Sequence, residues 1–470
     1  MTHHSAHDLK YLFEPRSVAI VGASKDEWKS GGMFINSMLK DGYRGKIFPI
    51  NRKESEIMGL KCYSNVGEIP EEVDLAVLAI PSQAIIAAME DCVRRSVKYA
   101  IVHAVGFSEL GGEGRELEKK MVGIAREGGV RIVGPNCMGI FTSRGRINTV
   151  VPYARIPIEP GGVAFIGQSG WAAETMLRLG SARGLRFSGI ISIGNQSDLT
   201  VEDFIEYWGS DPNTKVIAAY IEGLKNPGRF VELAKEISPH KPIIVWKGGS
   251  SEMGAKSAAS HTGSLAGSYE VFQAMCRQSG VIPAYGMEDT IDLAVAFNVP
   301  VLPAGNEIGL LIEAGGGAVA SADACAKEGL KISPFPIDIQ QRLIEYLKGR
   351  VPPSNNRKNP VDIVWAPISD APRVYAECLE IIMPAVDVCL VITYAFLQDE
   401  WFRSKLIELR DNVKKPIVLI PANLPDQVRG LELATKDGFP TYVMPENAIR
   451  CIGAMVRRSR YLLSYMGAID

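Results

Sequence analysis

The side chains best suited to chemistry are one imidazole and one carboxylate. His261 lies in Ala258-Ala259-Ser260-His261-Thr262-Gly263-Ser264-Leu265-Ala266-Gly267-Ser268. Small residues on both sides give this imidazole little steric cover and much backbone freedom. Imidazole acts as a nucleophile towards phosphorus near neutral pH when a partner holds its second ring nitrogen. Glu222, in Tyr220-Ile221-Glu222-Gly223, is the best candidate for that partner because it closes an apolar run. The remaining five of the six histidines offer less. His3, His4 and His7 lie at the start, His240 lies in a turn, and His103 ends an apolar run. On residue types alone, His261 stays open between a structural imidazole and a phosphoryl acceptor. Glu222 stays open between an orienting carboxylate and an ordinary strand end.

Three glycine-led turns are the candidate anion sites. They are Val21-Gly22-Ala23-Ser24, Gln168-Ser169-Gly170-Trp171 and Glu313-Ala314-Gly315-Gly316-Gly317. Each follows an apolar run and precedes a helical pattern. Free N–H groups at a helix start attract anions, and glycine permits the tight turn. Each is also compatible with a plain strand–helix connection, although two such turns in one chain suggest paired helix dipoles aimed at one phosphate. The first turn lacks the later glycines of a dinucleotide fingerprint, which argues against a nicotinamide-dependent dehydrogenase. Gly249 to Lys256 resembles a Walker A loop, but one residue too many separates its second glycine from the lysine.

These turns need buried strands behind them. Ser17–Val21, Lys46–Ile50, Leu75–Ile80, Ala100–Ala104 and Val130–Val133 are continuous apolar runs, as expected of parallel strands covered on both faces. A second series follows at Gly162–Ile166, Phe187–Ile193, Val216–Tyr220 and Pro242–Trp246. A third follows at Glu307–Ile312, Val388–Ile392 and Pro416–Ile420. Alternation with helical patterns predicts an α/β fold with doubly wound sheets. The boundaries are read as 1–145, 146–297 and 298–470, with Asn298–Gly305 as a linker.

The 51 basic and 53 acidic residues leave a net charge of -2, which favours neither nucleic acid nor an anionic membrane. No apolar stretch is long enough to cross a bilayer. The eight cysteines have no CxxC spacing, so neither a zinc site nor a disulfide framework is expected. The start, MTHHSAHD, lacks signal-peptide architecture, and cytoplasm is the expected location.

From about residue 8 to 460 the chain resembles the nucleoside-diphosphate-forming acyl-CoA synthetases of the succinyl-CoA synthetase superfamily. Within that family it is similar to the alpha subunit of the two-subunit, ADP-forming acetyl-CoA synthetase type. The resemblance is carried by Ser260–Gly267, Gly134-Pro135-Asn136-Cys137-Met138-Gly139, Gln168-Ser169-Gly170, Gly194-Asn195 with Asp198, Tyr220-Ile221-Glu222-Gly223 and Asn359-Pro360-Val361-Asp362. It implies a Rossmann-like CoA-binding domain followed by two flavodoxin-like domains. It also implies that His261 is phosphorylated and that Glu222 holds it. Ser169 and Gly170, with Gly315, Gly316 and Gly317, then head the two phosphate-binding helices. Gly22, Ala23, Ser24, Lys53, Ile80, Pro81, Asn136 and Cys137 then hold coenzyme A as substrate. No metal ligand is implied in this chain. ATP, ADP and Mg2+ belong to an ATP-grasp beta subunit in an α2β2 heterotetramer. The alternative is a CoA-binding regulatory or inactive paralogue of the same fold. Two positions depart from the family pattern. Glu313 stands where an uncharged residue is frequent, and Trp171 stands where a small one is common.

Overall fold

The computed structural model describes residues 9–256, 268–313, 315–393, 397–421 and 428–467. The chain forms two compact units. One comprises Met1–Ser181 and Arg186–Met287, the other Ala182–Leu185 and Glu288–Asp470.

Among the described residues, the first unit holds two large sheets and a separate two-stranded hairpin. In the first, β1 (Ser17–Val21) and β2 (Lys46–Ile50) are followed by a short hairpin, β3 (Glu56–Ile57) and β4 (Leu60–Lys61). β5 (Leu75–Leu78), β6 (Tyr99–Val102) and β7 (Arg131–Val133) complete it. The order is β2-β1-β5-β6-β7, with every pair parallel. All five residues of β1 are buried, as its unbroken apolar run requires. The order reverses between β1 and β5, and in open α/β sheets ligands bind beyond the strand ends at such a point.

The second sheet contains β8 (Gly139–Thr142), β9 (Ile147–Asn148), β10 (Val163–Gly167) and β11 (Phe187–Ser192). It continues with β12 (Val216–Ile221), β13 (Ile243–Lys247) and β14 (Ile282–Ala284). The order is β14-β13-β12-β10-β11-β8-β9, and the reversal lies between β10 and β12. β8 and β9 add to this sheet as an antiparallel edge. Gly139–Thr142, placed by sequence in the region 1–145, therefore hydrogen-bonds in the second sheet. A shared core joins the sheets. Phe13, from the helix before β1, stacks on Tyr207 at 5.2 Å and packs against Trp208 at the same separation. Asp198 adds a polar tie, accepting the Ile132 N–H at 2.9 Å and pairing with Arg131 at 2.8 Å.

The second unit contains β15 (Ile308–Ile312), β16 (Val361–Asp362), β17 (Val388–Thr393) and β18 (Ile417–Pro421), in the order β16-β15-β17-β18 and all parallel. The helix Met287–Phe297, read by sequence as the end of the middle region, falls from Glu288 onwards in this unit. There Asn447 donates to Asp292 at 2.8 Å and Arg450 pairs with Asp289 at 2.6 Å.

Candidate functional site

At the reversal of the first sheet a crevice of about 470 Å³ opens. Gly22, Asn51, Lys53, Ser64, Asn65 and Ile80 are among its lining residues. Gly22 has φ +90°, and a Cβ there would stand 2.3 Å from the Ala79 carbonyl oxygen. Glycine is thus required by the close approach of two strand ends beside the crevice. The N–H groups of Gly22 and Ala23 do not point freely at a ligand. Both donate to the Ile50 carbonyl at 3.2 Å. Ala23 is buried, and the Ser24 hydroxyl accepts the Asp26 N–H at 3.0 Å. The following helix starts only at Ser30.

Ala23 and Ser24 are therefore not among the residues that line this crevice, and three further expected residues lie outside it. Pro81 is exposed and does not line it. Asn136 and Cys137 follow β7, at the sheet's edge, beyond β6 from the reversal. Asn136 adopts φ +56° and turns its amide towards Asn195 at 3.4 Å. The Cys137 thiol is buried against the Val102 carbonyl at 3.5 Å, and burial pushes its pKa up to about 12. That thiol packs as a small apolar group rather than facing a ligand.

The second sheet's reversal gathers more of the expected residues. β10 ends at Gly167, and the helix Gly170–Ala182 begins after Gln168 and Ser169. On the other side of the reversal, β12 ends at Ile221 and delivers Glu222. Gln168 joins the two. Its backbone N–H donates to the Tyr220 carbonyl at 3.0 Å, and its side-chain oxygen accepts the N–H groups of Glu222 at 2.7 Å and Gly223 at 3.1 Å. The Glu222 side chain is buried, and Oε1 accepts the Tyr220 hydroxyl at 3.0 Å. Burial pushes the Tyr220 phenol well above its ordinary pKa, reinforced by the neighbouring carboxylate, so the hydroxyl keeps its proton and donates. Lys247, at the end of β13, is also buried. Its ammonium donates to the Glu222 carbonyl at 2.9 Å and the Gly248 carbonyl at 2.5 Å, and burial lowers its pKa. Met138 packs on the helix start, since a Cβ on Gly170 would lie 2.7 Å from its Cγ.

Gln168, Tyr220, Trp246 and Lys247 were not among the residues singled out for roles from sequence. Gln168 opens Gln168-Ser169-Gly170, and a lysine ending a buried strand is a usable signal for Lys247. His261 lies outside the described residues, which stop at 256 and resume at 268.

The third glycine turn opens the helix Gly315–Glu328. A Cβ on Gly315 or Gly316 would meet nothing within 4 Å among the described residues, so their packing does not demand glycine there. Gly317 is tighter, at 3.1 Å from Ile392 Cδ1. Glu313, the residue whose charge sits awkwardly beside an anion, is buried. Its Oε2 accepts the Tyr375 hydroxyl at 2.5 Å, which ties the carboxylate to the helix Ala371–Ile382. Among the described residues, no three His, Cys, Asp or Glu side chains converge as a metal site. No helix among them is long and apolar enough to cross a membrane.

Residues 16–143 match a CoA binding domain, and residues 160–297 match a succinyl-CoA ligase like flavodoxin domain. The alpha subunit of ADP-forming acetate–CoA ligase II from Pyrococcus furiosus is 36% identical over 461 residues, covering 96% of this chain and 98% of its own. The ADP-forming acetate–CoA ligase of Methanocaldococcus jannaschii is 37% identical over 458 residues, and the match covers 96% of this chain and 64% of that protein. Among solved structures, the dinucleotide forming acetyl-coenzyme A synthetase 1 of Ca. Korarchaeum cryptofilum, in complex with phosphate and ADP, matches with a TM-score of 0.85 and 33% identity, covering 99% of each chain. With its two domain matches in order and relatives of this identity along nearly its whole length, the chain belongs to the family of ADP-forming acyl-CoA synthetases.

Proposed function

We propose that this chain is the alpha-type subunit of an acid–CoA ligase. The reaction interconverts acyl-CoA, ADP and phosphate with a carboxylic acid, CoA and ATP. One observation carries the reading: Gln168 bonds the end of β12 to the start of the glycine-led helix, which sets the buried Glu222 carboxylate at a sheet reversal. Such a place suits an anion and the imidazole that takes a group from it.

In the first step a phosphate oxygen attacks the thioester carbonyl carbon. The carbon–sulfur bond breaks, the thiolate of CoA leaves and takes up a proton, and an acyl phosphate forms. In the second step an imidazole nitrogen of His261 attacks phosphorus. The bond from phosphorus to the acyl oxygen breaks and the carboxylate leaves. Glu222 orients the imidazole and stabilises its positive charge. The helix start at Ser169 and Gly170 supplies N–H donors for the charge that develops on the transferred group. The open start at Gly315 and Gly316 is a second anion-holding end. CoA occupies the crevice beside Gly22, Lys53 and Ile80. ATP, ADP and Mg2+ are assigned to an ATP-grasp beta subunit, with an α2β2 assembly, and the phosphohistidine passes its phosphoryl group to ADP there.

The experiment is transfer of label from γ-labelled ATP in the presence of the beta subunit. Acid-labile label on this chain, lost in His261→Ala and strongly reduced in Glu222→Gln, is the expected outcome. Label persisting in His261→Ala overturns the role of that residue.

A further inference from the structure

β10, β12 and β13 run side by side in register, with Gly167 opposite Tyr220 and Tyr220 opposite Trp246. Register partners on neighbouring strands project to the same face of a sheet. Their rings accordingly meet, with centroids 4.5 Å apart. Glu222, two residues beyond Tyr220, leaves on that face too, as its bond from the Tyr220 hydroxyl requires. Gly167 contributes no side chain, and the chain turns there into the helix that begins at Gly170. The second residue of this helix, Trp171, reaches Trp246 in a T-shaped contact at 6.2 Å and 73°. Three aromatic rings thus run from the helix start to the carboxylate.

Trp171 is 57% exposed, whereas Met176 and Leu177 of the same helix are fully buried. A large apolar ring left in water is unfavourable unless something covers it. Its position says what that is. In the acyl phosphate proposed above, a single bridging oxygen separates the carbonyl carbon from phosphorus. With phosphate on the helix start and Glu222 on the same face, the rest of the acyl group is left facing Trp171 and Trp246. A pair inclined at 73° makes a corner, which takes a flat ring by stacking on one indole and meeting the other near its edge.

We propose that Trp171 and Trp246 form the wall that receives the acyl group, and that they select planar aromatic carboxylic acids over short aliphatic ones. This inference rests on the functional reading above. Trp171 sets the preference, and Trp246 is held in place by Tyr220.

The test uses this chain assembled with its ATP-grasp subunit, with CoA-thioester formation measured for phenylacetate and for acetate. The wild type is expected to show the higher kcat/KM for phenylacetate. Trp171→Ala should lower the phenylacetate-to-acetate ratio about tenfold, the size of one good aromatic contact, and Trp171→Phe should hold it within about threefold. A ratio that favours acetate in the wild type, or that Trp171→Ala does not move, overturns the wall. Loss of subunit association in Trp171→Ala at an unchanged ratio also overturns it and assigns the indole to the subunit interface. An assembled wild type that turns over neither these acids nor others overturns the functional reading, and this inference falls with it.

Discussion

The side-chain oxygen of Gln168 accepts the backbone N–H of Glu222 at 2.7 Å, which locks the end of β12 to the turn after β10. A second bond, from the Gly223 N–H at 3.1 Å, uses the same oxygen. The position of the buried carboxylate is therefore set through its backbone as well as through its own hydrogen bonds. Replacing Gln168 by Ala strands two buried N–H donors, each costing about 1 to 3 kcal/mol. Gln168→Ala should lower stability by about 2 to 6 kcal/mol in urea unfolding and should slow phosphohistidine formation. A label-transfer rate equal to wild type would show that Glu222 holds its place without this bridge.

Gly22 tests the crevice of the first sheet. Its φ of +90° and the 2.3 Å approach of the Ala79 carbonyl leave no room for a methyl group. The nearest opposing atom is backbone, with the Ile80 side chain next at 2.9 Å, so relief means shifting β1 or the end of β5. Gly22→Ala should cost at least about 2 kcal/mol in thermal or denaturant unfolding and weaken CoA binding in calorimetric titration. Full stability with unchanged CoA affinity would show that the strand ends move apart freely.

Asp74 gives the first unit an acid-sensitive anchor. Burial pushes this carboxyl up, but hydrogen bonds from Arg16 and Lys98 outweigh it and hold the pKa at about 2, below its ordinary 3.8. The bonds are 2.9 Å from Arg16 Nε and 2.7 Å from Lys98 Nζ. A carboxylate depressed by folding contributes stability above its unfolded pKa, and that contribution is lost as pH falls through the folded one. Asp74→Asn should therefore lower the urea midpoint at pH 7. The gap to wild type should shrink as pH drops from about 4 towards 2. A gap that stays constant across this window would mean that the ion pairs contribute nothing through titration.

Much of this architecture was legible before any coordinates. Strands such as Ser17–Val21 and Leu75–Leu78 fall where their apolar runs lie, because burial on both faces leaves no polar alternation to confuse them. The antiparallel hairpin Gly139–Thr142 and Ile147–Asn148 was not legible, being short and carrying polar Thr142 and Asn148. In the site, Glu222 stood out as a carboxylate closing an apolar run. Tyr220 and Trp246 did not, since their pairing exists only through the register of β12 on β13. The placing of the Cys137 side chain was not legible either. Its turn has the look of a ligand loop, yet its thiol faces the Val102 carbonyl.

Gly316 separates a ligand role from a packing role. The methyl of Gly316→Ala would meet nothing within 4 Å among the described residues, and the residue sits near the start of the helix Gly315–Glu328. Alanine is the better helix former, so stability should stay level or rise by up to about 1 kcal/mol. A bound anion at this helix start needs close approach to the backbone N–H groups, and the added methyl stands in its path. The KM for phosphate in acyl-CoA phosphorolysis should therefore rise by about fivefold or more, while the unfolding midpoint does not fall. An unchanged KM for phosphate would remove this helix start from the anion site. A raised KM in a fully folded variant would point to lost access to the N–H groups, since the added methyl meets no described residue within 4 Å.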